Sequence, residues 1–302
     1  MDQRLPPEQT ARPGVSTTDG PGLSGAPRRR VTRRDILRLL LTAAVVAPVG
    51  EALASTHLIA VDRLTLDLPR WDRDGFKIAL IGDLHINRGV DVRLARRAVA
   101  AAMAESPDTV VFIGDYVTTG EQAGPELLAA AFQPLAFATC PLLAVLGNHD
   151  VAVGRDQVTE ALRLSRIMVL RNEAFVVGGV NFIGFDDALF GYPDYTGFER
   201  YAEGRSNVVL LHEPDYVDYV PIWASLQLSG HSHGGQIRLP GGVALLTPLG
   251  ARRFVDGYYP RASVPLFVTR GVGTRQLRFR TFCRPQVAIL TLEGRRGGRG
   301  PG

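Results

Sequence analysis

Cysteine and lysine are nearly missing from this chain: two cysteines, Cys140 and Cys283, and a single lysine, Lys77, stand among 302 residues. Two thiols are too few for a disulfide scaffold or a thiolate-ligated zinc module. With lysine almost absent, the 34 basic residues are nearly all arginine, which reads as a compositional bias rather than a recognition surface. Long apolar runs are lacking too, since the most apolar stretch, residues 39–49, falls short of the roughly 20 residues that span a bilayer. No internal repeat of fixed length is present, and no Pro/Gly linker splits residues 55–293. With 45% apolar and 21% charged residues, the chain is not disordered throughout and has the material for a buried core.

The formal charge of +4 would by itself suggest nucleic acid or an anionic surface. Its location removes that reading. Eight arginines and five acids fall within residues 1–54, leaving 26 basic and 25 acidic residues in the remainder. Arg295, Arg296 and Arg299 belong to a Gly-rich tail, 294–302, expected to be disordered. The body is close to neutral, and no nucleic-acid-binding surface is evident.

Residues 1–30 are rich in Pro, Gly, Thr and Arg without apolar periodicity and are expected to be disordered. Residues 31–54 then run from Thr32-Arg33-Arg34-Asp35-Ile36-Leu37-Arg38 through an apolar stretch to Ala52-Leu53-Ala54. A basic region, a short apolar region and a small-x-small site follow in the order of an export signal. The paired arginines resemble the twin-arginine signal, which hands folded proteins to its own export machinery. The expected localisation is extracytoplasmic: periplasm, cell wall or outer membrane face. Cleavage after Ala54 stands beside two alternatives, an amphipathic N-terminal helix and an uncleaved membrane anchor lengthened by Arg38.

From residue 55 strand and helix alternate. Strands are expected over 58–68, 76–81, 109–113 and 142–146, with helices over 91–104 (Asp91 as N-cap), 125–137 and about 156–165. The second half is richer in strands: 167–170, 174–177, 180–185, 208–211, 226–229, 266–269 and 287–292. One α/β domain over 55–293 is the simplest reading, a layered αββα sandwich of two mixed sheets flanked by helices.

Five of the six histidines sit where these strands end. The segments are Gly82-Asp83-Leu84-His85, Gly114-Asp115, Gly147-Asn148-His149-Asp150, Leu211-His212 and Gly230-His231-Ser232-His233-Gly234. In an extended segment residues i and i+2 face one side, so Asp83 with His85, and His231 with His233, converge. Carboxylate, amide oxygen and imidazole hold borderline divalent metals without thiolate. Seven candidate ligands exceed the needs of one ion; two ions roughly 3.5–4 Å apart would use them all and clamp an in-line attack on phosphorus. Each fragment alone is weak, because a lone Gly-Asp is more often a turn and a lone buried His more often a core residue. The ordered set is the signal.

That series, extended by His212-Glu213-Pro214-Asp215, Gly230 to Gln236 and Thr269-Arg270-Gly271, resembles the calcineurin-like metallophosphoesterases, in particular their exported bacterial YkuE/YaeI-type phosphodiesterase branch. The resemblance covers about residues 58–293. It implies that Asp83, His85 and His233 hold one metal, that Asp115 bridges both, and that Asn148, His212 and His231 hold the second. It implies a non-ligating His149 beside the phosphate, oriented by Asp150, and metal-bound hydroxide as nucleophile. The two divalent ions would be Mn, Fe, Zn or Co. The substrate would be a phosphodiester, a nucleotide-sugar pyrophosphate such as UDP-diacylglucosamine, or a phosphorylated, lipid-linked or envelope molecule. Ser232 replaces the Thr frequent at that position, a small change.

Two rival functions carry specific signals. Gly230 to Gly234 also satisfies the G-x-S-x-G pattern of serine esterases, with Ser232 as nucleophile. That fold needs a helix directly after the serine and a later catalytic His, whereas Gly234-Gly235 follows at once and His233 is the only later histidine. A non-catalytic metal-binding protein would keep the ligands without needing His149-Asp150. Phe190, Tyr192, Tyr195, Phe198 and Tyr201 form either packing or a substrate wall, packing being favoured. Gly271-Val272-Gly273 reads as a turn, and His57 as solvent-facing. Pairing of Cys140 with Cys283 stays open, because sequence gives no distance between them.

Overall fold

The computed structural model describes residues 32–120 and 125–295. The expected disorder of 1–30 and most of the Gly/Arg tail therefore lie outside the described residues. The chain divides into two units, Met1–Ala44 and Val45–Gly302. In the first, Thr32 caps helix α1 (Arg33–His57): the Asp35 carboxylate accepts the Thr32 N–H at 3.0 Å and the Thr32 hydroxyl accepts the Asp35 N–H at 3.2 Å. This reciprocal box satisfies amides that a helix start leaves free.

The second unit carries strands β1 (Ala60–Leu68), β2 (Phe76–Ile81), β3 (Thr109–Ile113), β4 (Leu142–Val145), β5 (Met168–Val169) and β6 (Glu173–Val177). It continues with β7 (Val180–Gly184), β8 (Asn207–Leu210), β9 (Leu226–Ser229), β10 (Gly257–Tyr259), β11 (Leu266–Val268) and β12 (Gln286–Gly294). Helices α2 (Gly89–Ala104), α3 (Pro125–Phe132) and α4 (Asn148–Leu164) lie between strands of the first half. Two mixed six-stranded sheets result, in the orders β1-β12-β2-β3-β4-β5 and β10-β11-β9-β8-β7-β6. The expected sandwich is the observed fold.

Alternation along each strand divides its side chains between layers. Ile78 and Leu80 of β2, Val111 and Ile113 of β3, and Leu143 and Val145 of β4 point to the core shared with Phe182, Val208, Leu210 and Leu228 of the other sheet. Ala79, Ile81, Val110, Phe112 and Ala144 point the opposite way, onto Ala95, Val99, Leu128 and Leu162 of α2, α3 and α4. Strands buried on both faces need continuous apolar runs, which is why these segments lack the polar alternation of β1. The outer face of the second sheet is covered by 3-10 turns (Glu199–Tyr201, Pro214–Asp218) and aromatic loops packed on Val209, Leu266 and Val268. Among the described residues α2, α3 and α4 cover the first sheet, and short 3-10 helices cover the second.

Local differences have local causes. Asp91 is not the N-cap of α2; it stands at the third helical position and its carboxylate accepts the N–H of Arg88, the true cap, at 3.0 Å. The 125–137 helix tightens to 3-10 geometry from Gln133, with Pro134 in its first turn. α4 begins at Asn148 rather than near 156, running through a kink at Gly154 that reads as a breaker in sequence. β10 escaped the sequence reading, being a three-residue edge strand. Gly294 ends β12 instead of opening a tail.

Candidate metal centre

β2, β3 and β4 of one sheet and β8 and β9 of the other all end at one place, the edge where ligands collect in α/β sheets. All seven proposed ligands are buried there. Ligand atoms of Asp83, His85, Asp115 and His233 lie within 4.8 Å of one another, and so do those of Asp115, His212 and His231. Asp115 is common to both groups. A single oxygen makes the junction: Asp115 Oδ2 is 3.3 Å from His212 Nε2 and 3.5 Å from His85 Nε2.

The convergence is real, but its expected cause is not. Asp83, His85, Asp115, His231 and His233 are not extended; their φ angles lie between 45° and 66°. This left-handed region is disfavoured for any residue with a Cβ. Backbone bonds hold them in it: His85 N–H donates to Asp115 O, Gly273 N–H to Asp83 O and Gly230 N–H to His212 O, at 2.7–3.0 Å. Gly147 is required by close approach, since a Cβ there would stand 2.4 Å from Asp115 Oδ1 and 2.8 Å from His212 Nε2. The Gly271 turn backs Asp83 in the same way, a Cβ falling 2.5 Å from the Asp83 Cβ.

Three of the four imidazoles have their orientation fixed from behind. His212 Nδ1 donates to Ile113 O at 2.6 Å and His231 Nε2 donates to Leu249 O at 2.7 Å, leaving His212 Nε2 and His231 Nδ1 facing each other at 3.2 Å. His85 Nδ1 pairs with Thr118 Oγ1 at 2.9 Å, turning Nε2 to within 3.0 Å of His233 Nε2. Such outer bonds select the ring nitrogen that a metal can take.

The donor set fits divalent cations on two counts. First, buried polar atoms that need a partner have none: Asp83 Oδ2, Asn148 Oδ1, His149 Nε2 and His233 Nδ1 are without hydrogen bonds. Native interiors rarely leave such atoms unsatisfied. Second, burial holds His85, His231 and His233 in the neutral form that binds metal, with His85 down to about 3 and His231 to about 4; burial acts on His212 in the same sense, but Asp115 outweighs it and raises that imidazole well above its ordinary value. Burial also pushes the Asp83 carboxyl up to about 7, so a nearby cation would restore its charge. Burial would raise Asp115 as well, but His212 and His85 outweigh it and hold that carboxyl well below the carboxylate range.

His149 lies beside the centre, its ring 5.0 Å from that of His85. Asp150 does not orient it. The Asp150 carboxylate accepts four backbone N–H groups instead, from Asp115, Tyr116, Val117 and Gly147, and so ties the loop after β3 to the start of α4. Thr119 N–H donates to His149 Nδ1 at 3.0 Å, which leaves the proton of the neutral ring on the unpartnered Nε2. The geometric consequence of one residue's slip along α4 is that His149 faces Thr119 while Asp150 faces inward beneath it.

The Ser232 hydroxyl is engaged in the turn that carries it. Its Oγ donates to Val255 O and accepts the Gly234 N–H at 3.0 Å, closing the turn between the two histidines. Tyr195, Phe198 and Tyr201 pack on Phe185 and one another, whereas Phe190 is exposed and borders the cavity beside Asn148 and His231. His57 is exposed, and Cys140 and Cys283 are both free. Three further buried groups back the centre from outside the ligand set. Arg280 is fully buried and donates to the carbonyls of Gly273, Arg270 and His233, pinning the histidine turn. Asp187 and Glu213 form a buried acid pair behind His212, where burial and Asp187 push Glu213 well above its ordinary range. Nothing in local pattern marks Arg280 and Asp187, because each acts across the fold, and Glu213 is marked only as part of the His212-Glu213-Pro214-Asp215 segment.

Buried carboxylate and imidazole groups joined by one aspartate, at the strand ends of a two-sheet sandwich, define a metal-binding hydrolase site of the type used on phosphate esters. The chain belongs to the calcineurin-like phosphoesterase family, whose signature matches residues 76–242. It is 29% identical to the metallophosphoesterase YkuE of Bacillus subtilis over 88% of this chain and 99% of that protein. It is 32% identical to phosphodiesterase YaeI of Escherichia coli over 72% of this chain and 82% of that protein. The UDP-2,3-diacylglucosamine pyrophosphatase LpxG of Chlamydia trachomatis is 26% identical over 83% of this chain and 95% of its own. Among solved structures, a dimetal phosphatase from Danio rerio aligns with TM-score 0.43 and 12% identity over 66% of this chain and 88% of that one.

Proposed function

We propose that the chain is an exported phosphoesterase that holds two divalent ions and hydrolyses a phosphodiester or pyrophosphate bond by in-line displacement. The observation that carries this is the position of Asp115 Oδ2 between His212 and His85, since one bridging carboxylate between two ligand groups is the requirement of a two-metal clamp. Asp83, His85 and His233 would hold one ion, and Asn148, His212 and His231 the other. Bound there, the ions supply Lewis acidity and activate water at neutral pH.

The protein's own part is orientation and proton placement. His149, neutral because burial lowers its pKa, carries its proton on an Nε2 that has no hydrogen-bond partner. From there it would donate a hydrogen bond to a phosphoryl oxygen as charge develops on it. Asp150 and Asp115 fix the backbone that carries it. The names of YaeI and LpxG support a diester or anhydride as substrate class.

Export rests on Arg33 and Arg34 at the start of α1, Thr32 capping the helix ahead of them. No described helix is long and apolar enough to cross a membrane. Cleavage after Ala54 would retain the bond from Arg280 N–H to Thr56 Oγ1 at 2.8 Å and remove that from Phe282 N–H to Glu51.

The test is hydrolysis of bis(p-nitrophenyl) phosphate by purified protein with Mn²⁺ and with chelator. Turnover that needs the metal and vanishes in Asp115→Asn supports the reading. Turnover that survives exhaustive chelation sinks it.

A further inference from the structure

A cavity of about 240 Å³ opens against the metal centre, with His233 in its wall. It is smaller than the roughly 300–1,000 Å³ of pockets that enclose whole drug-sized ligands. It suits one arm of a ligand. Ile237, Leu246, Pro248 and Leu277 give it an apolar lining, and Arg275 lines it together with His233.

The cavity is built, not incidental. Residues 236–238 form a bridge between the hairpin that ends at Leu245 and the loop at Thr281: Arg238 N–H donates to Thr281 O, Thr281 N–H to Gln236 O, and Leu245 N–H to Ile237 O, at 3.0–3.1 Å. Gln236, buried directly after the histidine turn, fastens the opposite wall. Its Oε1 accepts the Arg275 N–H at 2.8 Å, and its Nε2 donates to the carbonyls of Arg275, Leu277 and Phe279 at 2.5–3.1 Å. These bonds occupy the amide of Gln236, and Ile237, Leu246, Pro248 and Leu277 give the cavity its apolar lining beside Ser232, Thr247 and Gln276.

Two features remain unexplained by folding alone. Leu246 and Leu277 are 74% and 50% exposed, and Leu239, Val243, Leu245 and Leu249 on the same hairpin are exposed as well. Clustered exposed apolar side chains on a polar-rimmed surface mark a binding site, where single ones need no explanation. Arg275 is the second feature. Among the described residues its guanidinium has no ion pair, and its Nε is buried without a hydrogen-bond partner. It also borders the neighbouring cavity that Asn148 and His231 line.

We propose that this cavity is a subsite for an alkyl or acyl chain of the substrate, and that Arg275 at its mouth binds a non-bridging oxygen of the adjoining phosphoryl group. The substrate class is then a phosphoester or pyrophosphate with one apolar arm. The inference rests on the phosphoesterase reading of the same centre and adds the arm. An arginine fork suits phosphate geometry, and leucines beyond it gain by covering a chain with apolar surface.

The experiment measures binding, so it does not need turnover. Full-length protein loaded with Mn²⁺ is titrated calorimetrically with methylphosphonate and with octylphosphonate. A buried methylene strengthens binding about fourfold, so octylphosphonate should bind at least about tenfold tighter. In Leu246→Asn/Leu277→Asn that ratio should fall to near one, with metal content checked on the same sample. If the double variant loses metal, Leu246→Asn alone carries the same reading at a position already largely exposed. Arg275→Ala should weaken both ligands alike, by about 10- to 100-fold for a lost charge-assisted hydrogen bond, with Arg275→Lys recovering part. Equal affinities in the parent, no detectable binding of either phosphonate, or a chain-length ratio unchanged in the leucine variants overturns the proposal. Hydrolysis of bis(p-nitrophenyl) phosphate by the same samples reports on the phosphoesterase reading separately. Chain-dependent binding without turnover would sink that reading and leave the subsite standing.

Discussion

Asp115 and Asp150 are locked in a reciprocal clasp: Asp150 Oδ2 accepts the Asp115 N–H at 2.8 Å, and Asp115 Oδ1 accepts the N–H of His149, next to Asp150, at 3.0 Å. The clasp spends one oxygen of Asp115 on the backbone and frees Oδ2 for the junction between the two ligand groups. Two acids that look alike in the sequence therefore have separate duties, one toward metal and one toward the chain.

Substitution should separate those duties. His149→Ala removes the proposed hydrogen-bond donor to the phosphoryl group and should lower kcat by about 10²- to 10³-fold, with the melting temperature nearly unchanged. Asp150→Ala leaves four buried N–H groups without an acceptor, each costing about 1–3 kcal/mol, and should lower the melting temperature sharply. A thermal melt and a steady-state assay on both variants decide the matter. Equal losses of stability would refute the division.

Gly147→Ala places a methyl group against Asp115 and His212. Overpacking of this kind costs about 1–3 kcal/mol, and here the displaced atoms are proposed ligands. Bound metal per chain, measured by atomic absorption, should fall by more than the loss of stability alone explains.

Ser232→Ala removes the hydroxyl that closes the histidine turn. The expected loss is one of stability, about 0.5–2 kcal/mol by analogy with capping hydroxyls, with phosphodiester turnover largely retained. Abolished turnover in a folded, metal-replete variant would revive the serine reading.

Chelation should unfold as well as inactivate. An ion joining His85 to His233 closes a loop across 148 residues, and a covalent link of that span restricts the unfolded chain by about 5 kcal/mol. Treatment with a strong chelator should lower the melting temperature, and added Mn²⁺ should restore it. A melt insensitive to both would show that the site is already rigid without metal.

Arg33→Lys with Arg34→Lys should hold the chain in the cytoplasm if the twin-arginine reading is right. Cell fractionation with detection of the C-terminal region reads this directly, and the mass of the exported form shows whether residues 1–54 are removed.

The sandwich and its strand ends were legible because runs such as Thr109 to Ile113 are apolar throughout and stop at Gly-Asp or Gly-Asn. Residue types at those stops carried the candidate centre. Three things were out of reach. The left-handed backbone at Asp83 and His231 depends on hydrogen bonds to distant loops, so local pattern suggested extended chain. The partner of His149 is Thr119, thirty residues earlier, and no spacing rule links them. Arg275 and Gln236 meet only across the fold; in sequence Gln236 closes the Gly230 to Gln236 segment and Arg275 is an ordinary arginine.

Five proposed ligands share a backbone conformation that a glycine would hold more cheaply, at about 1–2 kcal/mol for each residue with a Cβ. The chain would be sturdier without its chemistry. Selection for heat resistance alone, with no demand for turnover, should therefore erode Asp83, His85, Asp115, His231 and His233 before it touches the apolar core. A close relative of this chain that has abandoned catalysis should be recognisable by glycine or asparagine at those positions and by a higher melting temperature.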